Sequence, residues 1–474
     1  MRIMATFDPV TRIEGHLSIE VTIDTVDGVQ QVVDARAVGG LFRGFEKLLI
    51  GRDPRDAQHI TERICGVCPV AHGLAAVRAL DSAYQAVVPA NGRLLRNLTA
   101  GANFVESHIL HFYLLSLPDY TKGPMTTPFQ SGWEADRRLN EEDTNRLLQN
   151  YLQAVTMRRK ADQMTAVFGG RAPHPPAFIP GGFTANPRPE RIETFATLLD
   201  ELIEFIESTY IPDVEFLAGV YDDYRIWGRG PANLLAYGAF DLDDAQSTKL
   251  FTPGIVWNAA EAVETLEIGA ISEHVLHSWF VDHPPAAPGE AVTQPQHPKD
   301  GAYTWGKAPR YQNQPCEVGP LARMWVNGAY RAGVSVMDRH LARAHEALMV
   351  AQAMRQWLAE LEPEADVAAM PAPLAAAEAA GLTEAPRGAL GHWVRIEEGK
   401  IARYQVISPT TWNVSPRDDA GAAGPLEQAL LGMPIENAEQ PIEIMRIIHA
   451  FDPCLDCATH VMRPGRETRV FHIR

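Results

Sequence analysis

Near the start of the chain apolar Leu17, Ile19, Val21 and Ile23 alternate with polar Ser18, Glu20 and Thr22. A period of two predicts a strand with one buried face, and Asp27-Gly28 predicts the turn into a partner strand. From Pro54 onward the apolar positions recur at helical spacing through Cys65 and Cys68. Leu94–Leu117 predicts a helix that stops at Pro118-Asp119. Arg191–Ile211 predicts another, with Phe195, Leu198, Leu199, Leu202 and Phe205 on its buried stripe. Prolines crowd the stretch from Pro284 to Pro298, which reads as a loop. Leu321–Leu361 reads as a long helical region. Residues 365–385, Ala-rich with scattered Pro and Glu, read as a small helical excursion or linker. The stretch HWVRIEEGKIARYQVI (392–407) reads as a hairpin turning at Gly399, and Leu426–Leu431 and Pro441–His449 read as short helices.

The sum is an α+β fold, mostly α-helical. A large helical core carries small β-sheet elements from the N- and C-terminal regions, with a site buried between the two ends of the chain. The expected organisation is one large domain over 1–474: a β region at 1–45, a helical core with loops at 46–390, a β/α region at 391–460, and a C-terminal tail at 461–474.

Charge changes this picture by exclusion. Lys and Arg number 42 against 59 Asp and Glu, a net −17 with no basic block, which argues against nucleic acid as a partner. No run of 18 apolar residues appears, so no membrane span is expected. The N-terminus, MRIMATFDPVTRIEGH, lacks the apolar region of a secretory signal. The expectation is a cytoplasmic protein, or one that reaches a membrane or is exported only through a partner.

The five cysteines are Cys65, Cys68, Cys316, Cys454 and Cys457. Four of them form two CxxC pairs near opposite ends, a pattern that suits metal binding better than a disulfide framework. Two pairs can present four soft thiolates to zinc, copper(I), an iron–sulfur cluster or nickel, and a thiolate can also bridge two metals. Zinc ribbons keep their pairs close together, whereas almost the whole chain separates these. That spacing suggests a site buried in a large domain but does not choose the metal.

The text around the pairs is more specific. RICGVC followed by PVAH (63–72) and DPCLDCATH (452–460) resemble the large subunit of nickel–iron hydrogenases. So do DPVTRIEGH (8–16), FRGFE (42–46), GGRAPHPPAFIPGG (169–182), KAPRY (307–311), EVGPLAR (317–323), APRGALGHW (385–393) and PTTWN (409–413), in the same order and over essentially the full chain. Within that family the H2-uptake types are the nearest in appearance.

The resemblance implies a nickel–iron centre whose iron carries carbon monoxide and cyanide. Cys65 and Cys454 would be terminal nickel ligands, and Cys68 and Cys457 would bridge nickel and iron. Heterolytic cleavage of H2 needs a base for the proton; a terminal thiolate, Cys454, would supply it, with Glu14 as the relay carboxylate. Arg387 would lie over the iron side and pair with Asp452. Pro386 and Pro409 would line the pocket, and Thr410 would donate to a cyanide. Glu46, His460 and the backbone carbonyl near Val406 would hold magnesium or iron(II), a harder ion that keeps several waters.

Ser107, in Glu106-Ser107-His108, departs from the Asp-His common in the family, which puts a salt bridge from this position to Arg387 in doubt. Cys316 matches no ligand position and reads as a packed free thiol. The implied partners are an iron–sulfur small subunit, because five cysteines cannot also supply an electron relay, and an endopeptidase that removes 461–474 after His460. Two other readings are a zinc-stabilised scaffold and a relative of the quinone-site subunit of respiratory complex I; retention of all four cysteines disfavours the latter.

Overall fold

The computed structural model describes residues 3–8, 10, 17–122, 135–454 and 469–471. The N-terminal alternation folds as expected. Strands β1 (Ile3–Phe7), β2 (Leu17–Val26) and β3 (Val29–Gly39) pair antiparallel in sequence order. Leu17, Ile19, Val21 and Ile23 are all buried. Asp27 and Gly28 both take positive φ, 52° and 85°, which matches the twist of a two-residue hairpin.

After α1 (Phe45–Leu49), the helical stretch from Pro54 is interrupted. It consists of α2 (Asp56–Thr61), a 3-10 turn at Glu62–Ile64, an extended Cys65, and α3 (Pro69–Tyr84) with Pro69 in its first turn. The first cysteine pair therefore occupies a corner between helices, not a helix. The next predicted helix is α4 (Ala90–Leu110), continued by a π turn and ended at Pro118 within the 3-10 turn Leu117–Asp119.

The long helix α5 (Glu141–Gly169) is absent from the sequence reading. Its buried positions are sparse and often small (Leu147, Ala154, Ala161), so the apolar stripe is faint. Its ends were the better signal. Asn140 accepts the Asp143 N–H at 2.8 Å, acids fill the first turn, and Gly170 closes the helix in the left-handed region. Helix α6 (Pro189–Phe205) buries four of the five predicted stripe residues, Leu198 being only half-buried. It runs through a π turn into α7 (Ile211–Val220).

Two expectations are corrected. The region Leu321–Leu361 is not one helix: α8 (Pro320–Val326) stops at Asn327-Gly328, and α9 (Val336–Ala359) restarts with Ser335 accepting the Asp338 N–H at 3.2 Å. Residues 365–385 contain no helix either. Their second half is strand β4 (Ala377–Ala385), paired antiparallel with β5 (Gly388–Glu397), which in turn pairs with β6 (Lys400–Ile407) around Gly399. Alanine favours helix weakly, and packing overrode it. At Gly381 the strand presses so closely on α3 that a Cβ would sit 2.1 Å from the Ala75 carbonyl oxygen.

The short helices α10 (Pro409–Asn413), α11 (Pro425–Leu430) and α12 (Ile442–Ala450) lead back to the second pair. One buried apolar cluster runs from Ala5 to Phe451, so both ends of the chain share a core. Strand β7 (Arg469–Phe471), in the tail, pairs parallel with β1. Among the described residues no helix is long and apolar enough to cross a membrane.

Candidate metal centre

The corner before α3 and the turn after α12 bring Cys65, Cys68 and Cys454 together. Cys65 Sγ lies 2.9 Å from Cys68 Sγ and 3.2 Å from Cys454 Sγ. All three are free thiols and buried. Their separations far exceed the ~2.05 Å of a disulfide. Asp452, in left-handed backbone at φ 55°, turns the chain so that Cys454 can reach the first pair. The Cys68 N–H donates to Cys65 Sγ at 3.1 Å, and the Cys454 N–H donates to Thr410 Oγ1 at 3.1 Å. Cys457, His460 and Glu14, three of the predicted site residues, lie outside the described residues.

Burial pushes the Cys65 thiol up to about 12. Bare thiolates would therefore be costly here, and cations must supply the compensation. Arg387 is one. It is buried, its Nε–H donates to the Asp452 carbonyl at 3.1 Å, and its Nη2 contacts Asp452 Oδ1 at 3.0 Å. Burial alone would lower its proton affinity, but Asp452 and the sulfurs of Cys454, Cys68 and Cys65 outweigh it and raise it well above the usual value. At position 107 no salt bridge forms; the Arg387 Nη1–H instead donates to Ser107 Oγ at 3.3 Å. A soft metal is the other compensating charge that this donor set fits, because buried sulfur ligands lose their protons on binding it.

The other predicted residues surround this cluster. Pro386 precedes Arg387, and its carbonyl accepts from Arg323 Nη2 at 2.7 Å. Pro409 is buried at the start of α10, whose first turn Ser408 caps. The Thr410 oxygen is engaged by Cys454, which leaves its own hydroxyl hydrogen free to donate elsewhere. Glu46 and Val406 line one cavity of about 90 Å³, together with Ile64, Thr410, Glu273 and Lys307. Burial pushes the carboxyls of Glu46 and Glu273 up, with Lys307 opposing in both cases. Gln405 Nε2 donates to Glu273 at 2.7 Å. Oxygen donors of this kind suit a hard cation.

The sequence reading passed over Glu273, Lys307 and Gln405. Only Lys307 carried a signal, as the first residue of KAPRY. Cys316 is buried away from the cluster with Trp393 and Trp412.

A chain that gathers buried thiolates from both of its ends, beneath a buried arginine, defines the class of thiolate-bound metalloproteins. A family model for nickel-dependent hydrogenase matches residues 43–124 and 121–460, and a HoxL-like model matches residues 5–35. The periplasmic [NiFeSe] hydrogenase large subunit of Desulfomicrobium baculatum is 41% identical over 97% of this chain and 95% of its own length. An uptake hydrogenase large subunit from Bradyrhizobium diazoefficiens is 34% identical over 98% and 97%. The solved Ni-Fe-Se hydrogenase of Desulfovibrio vulgaris Hildenborough superposes with a TM-score of 0.93 at 42% identity, covering 97% of this chain and all of that one.

The chain belongs to the nickel-dependent hydrogenase family, and its α+β fold is that of the family's large subunit. It is an oxidoreductase acting on H2, and membership implies a nickel–iron centre on cysteine. Those first relatives are named for selenium; this sequence has cysteine at 65, 68, 454 and 457.

Proposed function

We propose that the chain is the catalytic subunit of a hydrogenase working chiefly in H2 uptake, as one unit from the N-terminal sheet to His460. The observation that carries this reading is the buried group of three sulfurs beneath Arg387. A nickel–iron centre with carbon monoxide and cyanide on iron would supply Lewis acidity and redox capacity for H2 there. Cys65 and Cys454 would hold nickel, and Cys68 and Cys457 would hold both nickel and iron. Cys454 accepts the proton and Glu14 relays it outward. Arg387, oriented by Asp452 and Ser107, offers its remaining N–H groups to the iron side. The Thr410 hydroxyl donates to a cyanide, and Pro386 and Pro409 exclude water.

Glu46, the Val406 carbonyl and His460 hold a magnesium or iron(II) ion, with Glu273, Lys307 and Gln405 ordering its waters. This is supported by the cavity that Glu46 and Val406 share with Glu273, Lys307 and Gln405. Electrons leave to an iron–sulfur small subunit, since the cysteines here are spent on one centre. The tail after His460 is removed by an endopeptidase once nickel is in place. Any membrane association or export runs through the partner, in keeping with one relative named as periplasmic.

Elemental analysis and infrared spectroscopy of the purified heterodimer test the core of this. Nickel with iron, and bands from metal-bound CO and CN⁻, are expected; zinc alone supports the scaffold reading and refutes ours. Intact mass of the active enzyme should end the chain at His460, and a retained tail overturns the processing step.

A further inference from the structure

Arg339 and Arg343 lie about one turn apart on one face of α9, and both reach the end of α12. The Arg339 guanidinium stacks 3.8 Å over the Phe451 ring. The Arg343 Nη2–H donates to the Ala450 carbonyl at 3.0 Å. The last carbonyls of a helix have no partner within it and favour a cation nearby. At α12 two of them are taken by side chains from outside the helix. Arg343 takes Ala450, and the Nε2–H of His111 takes His449 at 2.6 Å. Just past Ala450 the chain enters the left-handed region at Asp452, and it then delivers Cys454 to Cys65.

The two arginines are spent differently. Arg339 forms a two-pronged pair with Glu317 at 2.7 and 2.8 Å and gives another N–H to the Gly228 carbonyl. Arg343 is equally buried, but among the described residues its hydrogen bonds go to backbone carbonyls and not to a carboxylate. Its Nη1–H donates to the Arg339 carbonyl in its own helix at 3.2 Å, and its Nε–H is buried with no partner there. Burial lowers its proton affinity, and of the groups that oppose this Asp452 acts most strongly. That carboxylate already contacts Arg387. A buried cation with no carboxylate of its own costs stability, and an apolar side chain would serve the core better. What the cation does supply is a donor at the end of α12.

We propose that Arg343 is a positioning residue for the metal centre: by capping α12 at Ala450 it fixes the turn through which Asp452 reaches Arg387 and Cys454 reaches the first cysteine pair. Its part at the centre rests on the nickel–iron reading above. The cap is directed at backbone, so what matters is an N–H at the Ala450 carbonyl. Arg343→Met removes that donor. Arg343→Lys keeps a cation and a donor, without the planar fork.

Amide hydrogen exchange of the purified heterodimer tests the cap independently of the metals. In Arg343→Met the segment 450–454 should lose protection, including the Asp452 N–H on the His449 carbonyl and the Cys454 N–H on Thr410. Helix α3 and the β5–β6 hairpin should keep theirs. Arg343→Lys should show the same local loss in weaker form, and it carries the test where Arg343→Met does not fold. Unchanged protection at 450–454, or a loss spread evenly over the chain, overturns the proposal. If even Arg343→Lys gives no folded heterodimer, Arg343 is structural and the proposal falls. Infrared spectra read the consequence at the centre. Arg343→Met should keep nickel, shift the bands of metal-bound CN⁻ and lower H2 turnover about tenfold, with Arg343→Lys between it and wild type. Unmoved bands beside altered exchange sink the link to the centre. A wild-type enzyme with no CO or CN⁻ bands would instead refute the nickel–iron reading, and the exchange result would still decide the cap.

Discussion

Arg323 and Arg387 are both buried, and the loop that carries one is held by the other. Arg323 uses every N–H of its guanidinium: Nε and Nη2 donate to Glu346, Nη1 to Glu384 and the Ala385 carbonyl, and Nη2 also to the Pro386 carbonyl, all at 2.6–3.0 Å. Among the described residues Arg387, which follows Pro386, makes two hydrogen bonds, to the Asp452 carbonyl and Ser107, and one ionic contact with the Asp452 carboxylate. A guanidinium has five N–H groups. The saturated arginine is structural and props the backbone that aims the other. The other is not saturated among the described residues, and it lies close enough to the sulfurs for their charges to act on it. The contrast shows that burial and charge do not by themselves mark a functional residue; unspent hydrogen-bonding capacity facing a cluster of ligands does.

The comparison breaks first at Arg323. Arg323→Met should leave Glu346 and Glu384 buried without their cation and cost about 3–5 kcal/mol, read as lost soluble protein or a collapse of the thermal transition. A near-normal melting temperature would show that the network is not structural.

The pH dependence of stability has two limbs here. Burial pulls Glu346 up, but Arg323 outweighs it and holds the carboxyl at about 2. Its stabilisation is present above the unfolded value near 4.5 and lost as pH falls towards 2, about 3 kcal/mol in all. Burial pushes Glu384 up to about 7. The folded chain there holds a proton the unfolded chain has lost, so stability declines as pH rises through 7. Glu384→Gln should flatten the alkaline limb in urea titrations, and an unaltered limb assigns it to other groups.

Arg387→Met should keep nickel and fold yet lower H2 turnover about 10²–10³-fold, the usual loss for a charged donor at a reacting centre. Asp452→Ala removes the charge that orients Arg387 and should reduce turnover about tenfold or more; an unchanged rate means Arg387 is held by other contacts. Ser107→Ala deletes one long hydrogen bond, worth about 0.5–1.5 kcal/mol, and should cost tenfold at most. A larger loss would give Ser107 a part beyond steadying the guanidinium.

Much of the fold was legible wherever a pattern had one cause. The β2–β3 hairpin showed because one face is buried and its turn needs positive φ at Asp27 and Gly28. Helix α5 did not show, because its buried face is sparse and its ends carry the signal. The stretch that holds strand β4 read as a small helical excursion or linker because alanine weakly favours helix, and contact with α3 overrode that preference. At the candidate centre the cysteines were visible through their spacing and neighbouring motifs, and Arg387 through its motif. Glu273 and Gln405 carry no local signal at all; they matter only because folding brings them beside Glu46.

By itself, then, the sequence determined which residue types were available: soft sulfur donors in pairs, a motif-borne arginine, and the periodicities that make a helical core with small sheets. Those are local properties, set by covalent order and side-chain chemistry. Only the tertiary structure decided which polar groups are spent and which are free. Arg323 and Arg387 are chemically the same residue; what separates them is whether partners hundreds of positions apart or a few turns away close around every N–H.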